Sequence, residues 1–253
     1  MYKDLIAFKK NMDKAVLQEH FRDRSEITLD DLRKFFRKNT PEIPDGTIRW
    51  RVYNLVKSTI LQRIGRGRFQ LGNRRTYQPE VSSRSIKVSK FIRKNFPNVS
   101  FCTWNSELLN EFTQHLSAYP FVIVDVERDV AESVYYQLKD NFKGIFLRPS
   151  EMLINELLPD FRLPIIVRYL TTESPLNKEG DLPLITLEKM LVDIFCDSEF
   201  SFLEGSELRS IYMNAITKYV VNENRLLRYA ARKGRKEDLR KYLYETRSRQ
   251  NLK

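Results

Sequence analysis

The chain has 253 residues, is 42% hydrophobic, 12% aromatic and 30% charged, and carries a formal net charge of +11. That is enough apolar material for a packed core in one large domain or two modest ones. It excludes a membrane protein of the helical kind, because no stretch approaches the roughly 18 uninterrupted apolar residues a membrane helix needs. The N-terminus, MYKDLIAFKK, carries charges through its apolar residues and is not expected to be a signal peptide. Cys102 and Cys196 are far apart and are expected as reduced thiols of a cytoplasmic protein. Charge is segregated. Residues 1–80 hold 18 Lys+Arg against 10 Asp+Glu, residues 81–200 hold 13 against 17, and residues 201–253 hold 13 against 6. A basic head and a basic tail flanking a mildly acidic middle point to a polyanionic partner for the two ends.

In chain order, residues 3–22 predict a helix with Leu5, Ile6, Phe8, Met12, Val16, Leu17 and Phe21 on a broad apolar side. A second helix runs from Ser25 to Asn39. Thr28-Leu29-Asp30-Asp31 supplies a capping-type start, and Leu32, Phe35 and Phe36 form its core stripe. Thr40-Pro41 ends it. A third helix follows a turn over residues 41–46. Asp45 or Thr47 is the candidate cap, and Ile48, Val52, Leu55 and Val56 form one apolar stripe. Thr47, Arg49, Tyr53, Asn54, Lys57 and Ser58 fall mainly on the other faces, and Arg51 joins Arg49, Tyr53 and Asn54 as a candidate groove contact, with Thr47 and Lys57 at the flanks. Arginine can donate two hydrogen bonds to guanine and asparagine can pair with adenine, so this helix is read as one that enters a DNA groove. Ile60–Ile64 and Arg68–Leu71 then predict a hairpin turning at Gly65-Arg66-Gly67, with Arg63, Arg66 and Arg68 near its tip for phosphates or a minor groove. Helix, helix, turn, helix and hairpin is the order of a winged helix-turn-helix.

Residues 73–85, NRRTYQPEVSSRS, read as a polar linker. Beyond it, strands are expected at Val99–Trp104, Phe121–Val126, Gly144–Arg148 and Leu163–Leu170, and helices at Ser106–His115 and Val130–Asn141. Further helices follow at Leu187–Cys196, Leu208–Val221, Glu223–Lys233 and Lys236–Tyr244. The expected fold class is therefore α+β: a winged helix-turn-helix over residues 1–75, a linker over 76–86, and an α/β domain with a basic helical tail over 87–253.

Catalytic signatures are sparse. His20 and His115 have no cysteine or carboxylate cluster at metal spacing, and no phosphate-binding glycine loop occurs. No cofactor or metal is expected. Asp125 and Glu127 close the strong strand FVIVDVE, and paired acids at a strand end hold magnesium in some nucleases. The alternative is a pair of structural or solvated carboxylates.

The tail carries a family-specific pattern. Leu187-Glu188-Lys189-Met190-Leu191-Val192-Asp193-Ile194-Phe195 is followed by Arg225-Leu226-Leu227-Arg228-Tyr229-Ala230-Ala231-Arg232-Lys233-Gly234 and a final basic helix. This resembles the C-terminal region of the AbiEi-type antitoxins of type IV toxin–antitoxin systems, which also carry an N-terminal winged helix. The resemblance implies a regulator that binds operator double-stranded DNA, represses its own operon and neutralises a nucleotidyltransferase toxin, without a stable toxin complex being required. Arg225, Arg228, Arg232, Lys233 and Arg235 are then either further phosphate contacts or a solvated helix face. A metal-dependent nuclease with a winged-helix targeting domain, and a stand-alone transcription factor, are the competing readings.

Overall fold

The computed structural model describes residues 16–57, 60–72, 76–113, 120–157, 160–179, 182–203 and 205–250. The chain is a mixed α+β protein, as its sequence predicts. It divides into two compact units, Met1–Thr76 with Lys218–Asn224, and Tyr77–Thr217 with Arg225–Lys253. Among the described residues no helix is long and apolar enough to cross a membrane.

In the first unit, residues 16–20 are helical; the rest of the helix predicted over 3–22 lies largely outside the described residues. A two-residue strand β1 (Ile27–Thr28) leads into helix α1 (Leu29–Asn39). Thr28 caps that helix as the sequence predicts. Its hydroxyl accepts the Asp31 backbone N–H at 3.1 Å, and the Asp31 carboxylate accepts the Thr28 N–H at 2.9 Å. The second predicted cap is corrected. Helix α2 (Asp45–Lys57) already includes Asp45, and the Pro44 carbonyl accepts the N–H groups of Thr47 and Ile48, so neither Asp45 nor Thr47 is the cap. The Asp45 carboxylate instead receives Arg33 at 3.2 Å and Arg37 at 2.8 Å, tying α2 to α1.

Strands β2 (Leu61–Gly65) and β3 (Arg68–Leu71) form an antiparallel hairpin, and β1 adds to β3, giving the order β1-β3-β2. Arg66-Gly67 is the two-residue turn. Gly67 has a φ of +69°, a left-handed conformation that glycine adopts without steric cost. Its carbonyl accepts the Leu29 N–H at 2.8 Å, fastening the hairpin tip to the start of α1. Leu32, Phe35, Ile48, Val52, Leu61 and Phe69 meet in one core from all of these elements.

The second unit opens with helix α3 (Ser83–Asn95), which begins inside the stretch read as a linker. Ser82 caps it, accepting the Ser85 N–H at 3.2 Å, and the Tyr77 side chain is buried. A serine-rich segment scores as loop, but here the serine starts a helix. The central sheet contains β4 (Phe101–Asn105), β5 (Val122–Val126), β6 (Ile145–Leu147) and β7 (Ile165–Tyr169), in the order β4-β5-β7-β6. The first pair is antiparallel; β5, β7 and β6 run parallel. Helix α4 (Ala131–Asn141) connects β5 to β6, and the short α5 (Glu151–Leu157) lies between β6 and β7. The helix expected over Ser106–His115 is a 3-10 helix over Ser106–Glu111, and His115 lies outside the described residues.

Strand alternation assigns the two faces of this sheet. Val122, Val124, Val126, Ile165 and Val167 pack with Val88, Ile92, Val134 and Leu138 of α3 and α4. Asp125 and Arg168 have the opposite parity, are buried, and are register partners on adjacent strands. A β8–β9 hairpin (Leu176–Glu179 and Leu182–Ile185) precedes helix α6 (Leu187–Cys196). Helices α7 (Ser206–Lys218), α8 (Glu223–Arg232) and α9 (Lys236–Gln250) complete the chain.

Candidate nucleic-acid interface

Helix α2 has two faces with different chemistry. Ile48 and Val52 are buried, with Leu55 and Val56 packed at the edge of the same core. At about 100° per residue, the direction opposite this stripe falls on Trp50, with Tyr53, Asn54 and Lys57 beside it. Trp50 and Tyr53 are each 62% exposed. Thr47, Arg49 and Lys57 are exposed too, and Asn54 is half-buried. Arg51 is also half-buried, with its guanidinium carbon 5.3 Å from the Phe36 ring centroid, so packing holds it toward α1. Sequence reasoning passed over Trp50, because aromatic residues are expected inside. The signal was its position opposite the apolar stripe.

The hairpin arginines separate into two groups. Arg66 stands exposed at the turn, and Arg63 is exposed with its guanidinium 5.5 Å from the Phe69 ring centroid. Arg68 is ion-paired. It donates through Nε and a terminal nitrogen to both Glu26 oxygens, at 2.6 and 2.5 Å, and reaches Glu223 at 3.2 Å. A bidentate pair of this kind fixes the guanidinium geometrically and neutralises it. The Glu26 hydrogen bond raises the Arg68 pKa further above the usual arginine value. Arg68 therefore ties the hairpin to Glu26 and Glu223 within the first unit.

The tail arginines and lysine also have partners within the second unit. Arg228 and Arg232 both pair with Glu173, at 3.7 Å for the former. Arg235 pairs with Asp238 at 2.6 Å and lies over Phe195. Arg225 donates to the Leu176 carbonyl at 3.3 Å and lies 4.0 Å from Glu188. Lys233 lies 2.7 Å from Asp193 and 2.6 Å from Asp197.

Lys233 belongs to a buried ionic network that also absorbs Asp125. Lys189 Nζ donates to Asp125 at 2.6 Å and to Asp193 at 2.5 Å. Arg168 donates to Asp125 at 2.8 Å, to Asp197 at 2.9 Å and to Asp193 at 3.3 Å. The Tyr229 hydroxyl donates to Asp193 at 2.9 Å. Burial pushes the Asp193 carboxyl up, but Lys189, Lys233 and Arg168 outweigh it and hold the group well below the usual carboxylate range. Burial likewise lowers Lys189, and Asp125 and Asp193 outweigh it, so its pKa rises. Both Asp125 oxygens are held by cations. Glu127 is exposed and accepts the Ser100 N–H at 3.0 Å; the Ser100 hydroxyl and then this N–H lower its pKa. The paired-carboxylate arrangement that a magnesium site requires is not formed by these two acids. Among the described residues no cluster of three or more His, Cys, Asp or Glu is placed to hold a metal. Cys102 and Cys196 are free thiols, each pushed up to about 12 by burial.

These features define a two-unit α+β protein with an exposed aromatic and cationic helix face in one unit and a buried charge network in the other. A model described as "Family of unknown function (DUF6577)" matches residues 47–249, and the chain belongs to that family. No curated protein matches it.

Proposed function

We propose that the protein is a cytoplasmic DNA-binding transcriptional regulator whose first unit is a winged helix-turn-helix. The observation that carries this reading is the outward face of α2. Thr47, Arg49, Trp50, Tyr53 and Lys57 are exposed on a helix whose other side is locked into a core, and Arg63 and Arg66 are exposed on the hairpin that follows. A rigid helix presenting donors, cations and flat aromatic rings matches base edges and thymine methyls in a major groove, and a cationic hairpin matches the adjacent backbone. In keeping with its resemblance to AbiEi-type antitoxins, we assign it repression of its own operon and antagonism of a nucleotidyltransferase toxin.

The test is a titration of the full chain onto double-stranded DNA from the promoter of its own operon and onto unrelated DNA. Tighter binding to the former is expected. Arg49→Ala and Trp50→Ala are each expected to weaken it by roughly 1–3 kcal/mol, with a much smaller change on unrelated sequence. Equal affinity for both DNAs, or a preference untouched by both substitutions, overturns the reading. The antitoxin part is tested separately, by growth rescue on co-expression with a neighbouring nucleotidyltransferase.

A further inference from the structure

The second unit holds a cleft of about 380 Å³ that the DNA-binding reading does not use. It opens at the carboxyl ends of the parallel strands β5, β7 and β6, where Asp125, Tyr169 and Arg148 line it. Open α/β sheets bind ligands at this edge, because the loops leaving adjacent strands diverge there. The volume falls within the roughly 300–1,000 Å³ of small-molecule sites.

The cleft has a fixed floor. Arg168 and Lys233 form part of it, each tied to Asp197 within the buried network. Charges paired this way do not reorganise when a ligand arrives. The rim is different. Arg148 is exposed, and among the described residues no carboxylate lies within ion-pair distance of it. Its guanidinium is instead placed 4.3 Å from the centroid of Tyr169, and Arg128 lies 4.8 Å from the same ring. Arg148 also has a φ of +45°, a conformation that costs a non-glycine residue energy and that clusters at ligand sites. Glu199 also lines the cleft and lies 3.7 Å from Arg168, too long for a strong hydrogen bond. The cleft lining thus holds an aromatic-stacked arginine with no carboxylate in ion-pair distance among the described residues, and a carboxylate, Glu199, that makes no short contact to Arg168.

We propose that this cleft binds a small phosphorylated molecule of mononucleotide size. The phosphate lies against Arg148, whose planar fork suits it better than a lysine would, and an amino or hydroxyl group of the ligand donates to Glu199. The proposal is independent of the first unit and of DNA.

Isothermal titration of the full chain with inorganic phosphate, pyrophosphate and AMP, and with adenosine as the unphosphorylated control, tests it. Saturable binding of AMP is expected, stronger than that of phosphate and absent for adenosine. Arg148→Ala should weaken AMP binding on the order of tenfold, as for loss of one charge-assisted contact. Glu199→Gln should bring AMP close to phosphate while leaving phosphate itself unchanged. Arg148 is exposed, and an unchanged circular dichroism spectrum and melting temperature establish that its variant is folded. No saturable binding of any of the three phosphates, binding of adenosine as tight as AMP, or an Arg148→Ala variant as tight as the parent each overturns the assignment.

Discussion

Arg49 of helix α2 and Arg66 of the hairpin turn face solvent in the first unit, whereas in the second unit Arg168, Lys189 and Lys233 are drawn into the protein around Asp125, Asp193 and Asp197. Both ends of the chain are basic by composition, so charge counting treats them alike. The difference lies in what each cation faces. In the first unit the exposed cations border on solvent and aromatic rings, and they remain available to a polyanion. In the second, acids of opposite strand parity or helical spacing meet the cations inside, and the net basicity of the tail gives no measure of its free charge.

The largest expected effect lies in the buried network. Lys189 is 1% exposed and bridges Asp125 to Asp193, which is 0% exposed. Lys189→Met leaves two buried carboxylates short of a partner and is expected to destabilise the second unit by ~3–5 kcal/mol, read as the urea unfolding midpoint. A loss no larger than that of a surface pair would mean that the network is solvated, and the contrast between the units would fail. The network also sets an acid limit. Asp193 has its pKa depressed in the folded state, so its contribution is present above the ordinary value of 3.8 and is lost as pH falls below it toward the folded value. The Asp193 contribution should hold down to about pH 4 and be lost below it, and Asp193→Asn, less stable throughout, should show a shallower acid drop in the unfolding midpoint.

These four residues explain why part of the molecule was legible and part was not. Lys189, Asp193, Tyr229 and Lys233 are four of the polar positions of the two tail motifs that carry the family resemblance, and in the fold they meet at Asp193. The periodicity of each helix was visible, and α6 is found at its predicted residues, Leu187–Cys196. Their convergence was not, because it depends on the register of β5 with β7 and on which face of the sheet α6 covers. Asp125 drew notice for its strand-end position, but a carboxylate beside a metal and one beside a lysine look the same in a linear sequence. Arg168 gave no signal at all, since an arginine in IIVRY reads as the exposed end of a strand. In the first unit the local rules went further. The capping box at Thr28, the stripe from Ile48 to Val56 and the glycine turn are all short-range features. What escaped there was Glu26 reaching Arg68 across 42 residues.

Arg68 and Arg66 sharpen the comparison within a single hairpin. Arg68→Ala removes the bidentate contact to Glu26 and is expected to lower stability of the first unit by ~1–3 kcal/mol. It should leave the salt dependence of DNA binding unchanged once folding is accounted for. Arg66→Ala should do the reverse, leaving the melting temperature alone and flattening the log–log salt slope by about one unit. The same salt response from both variants would show that Arg68 leaves Glu26 on binding.

The smallest effect is expected at the α1–α2 surface. Arg37 lies 2.8 Å from Asp45, but its side chain and that of Asp45 are each close to half-exposed, and Arg33 also reaches the same carboxylate. Water screens such a pair, and a long side chain loses rotamer freedom when it is held. Arg37→Ala is therefore expected to cost at most about 1 kcal/mol, and much of that is recovered if Arg33 takes the vacated oxygen. A double-mutant cycle of Arg37→Ala with Asp45→Asn measures the coupling directly. The expected coupling is a fraction of that between Lys189 and Asp193, although the two nitrogen–oxygen distances, 2.8 and 2.5 Å, differ little. Comparable couplings would mean that geometry, and not burial, sets the strength of ion pairs in this protein.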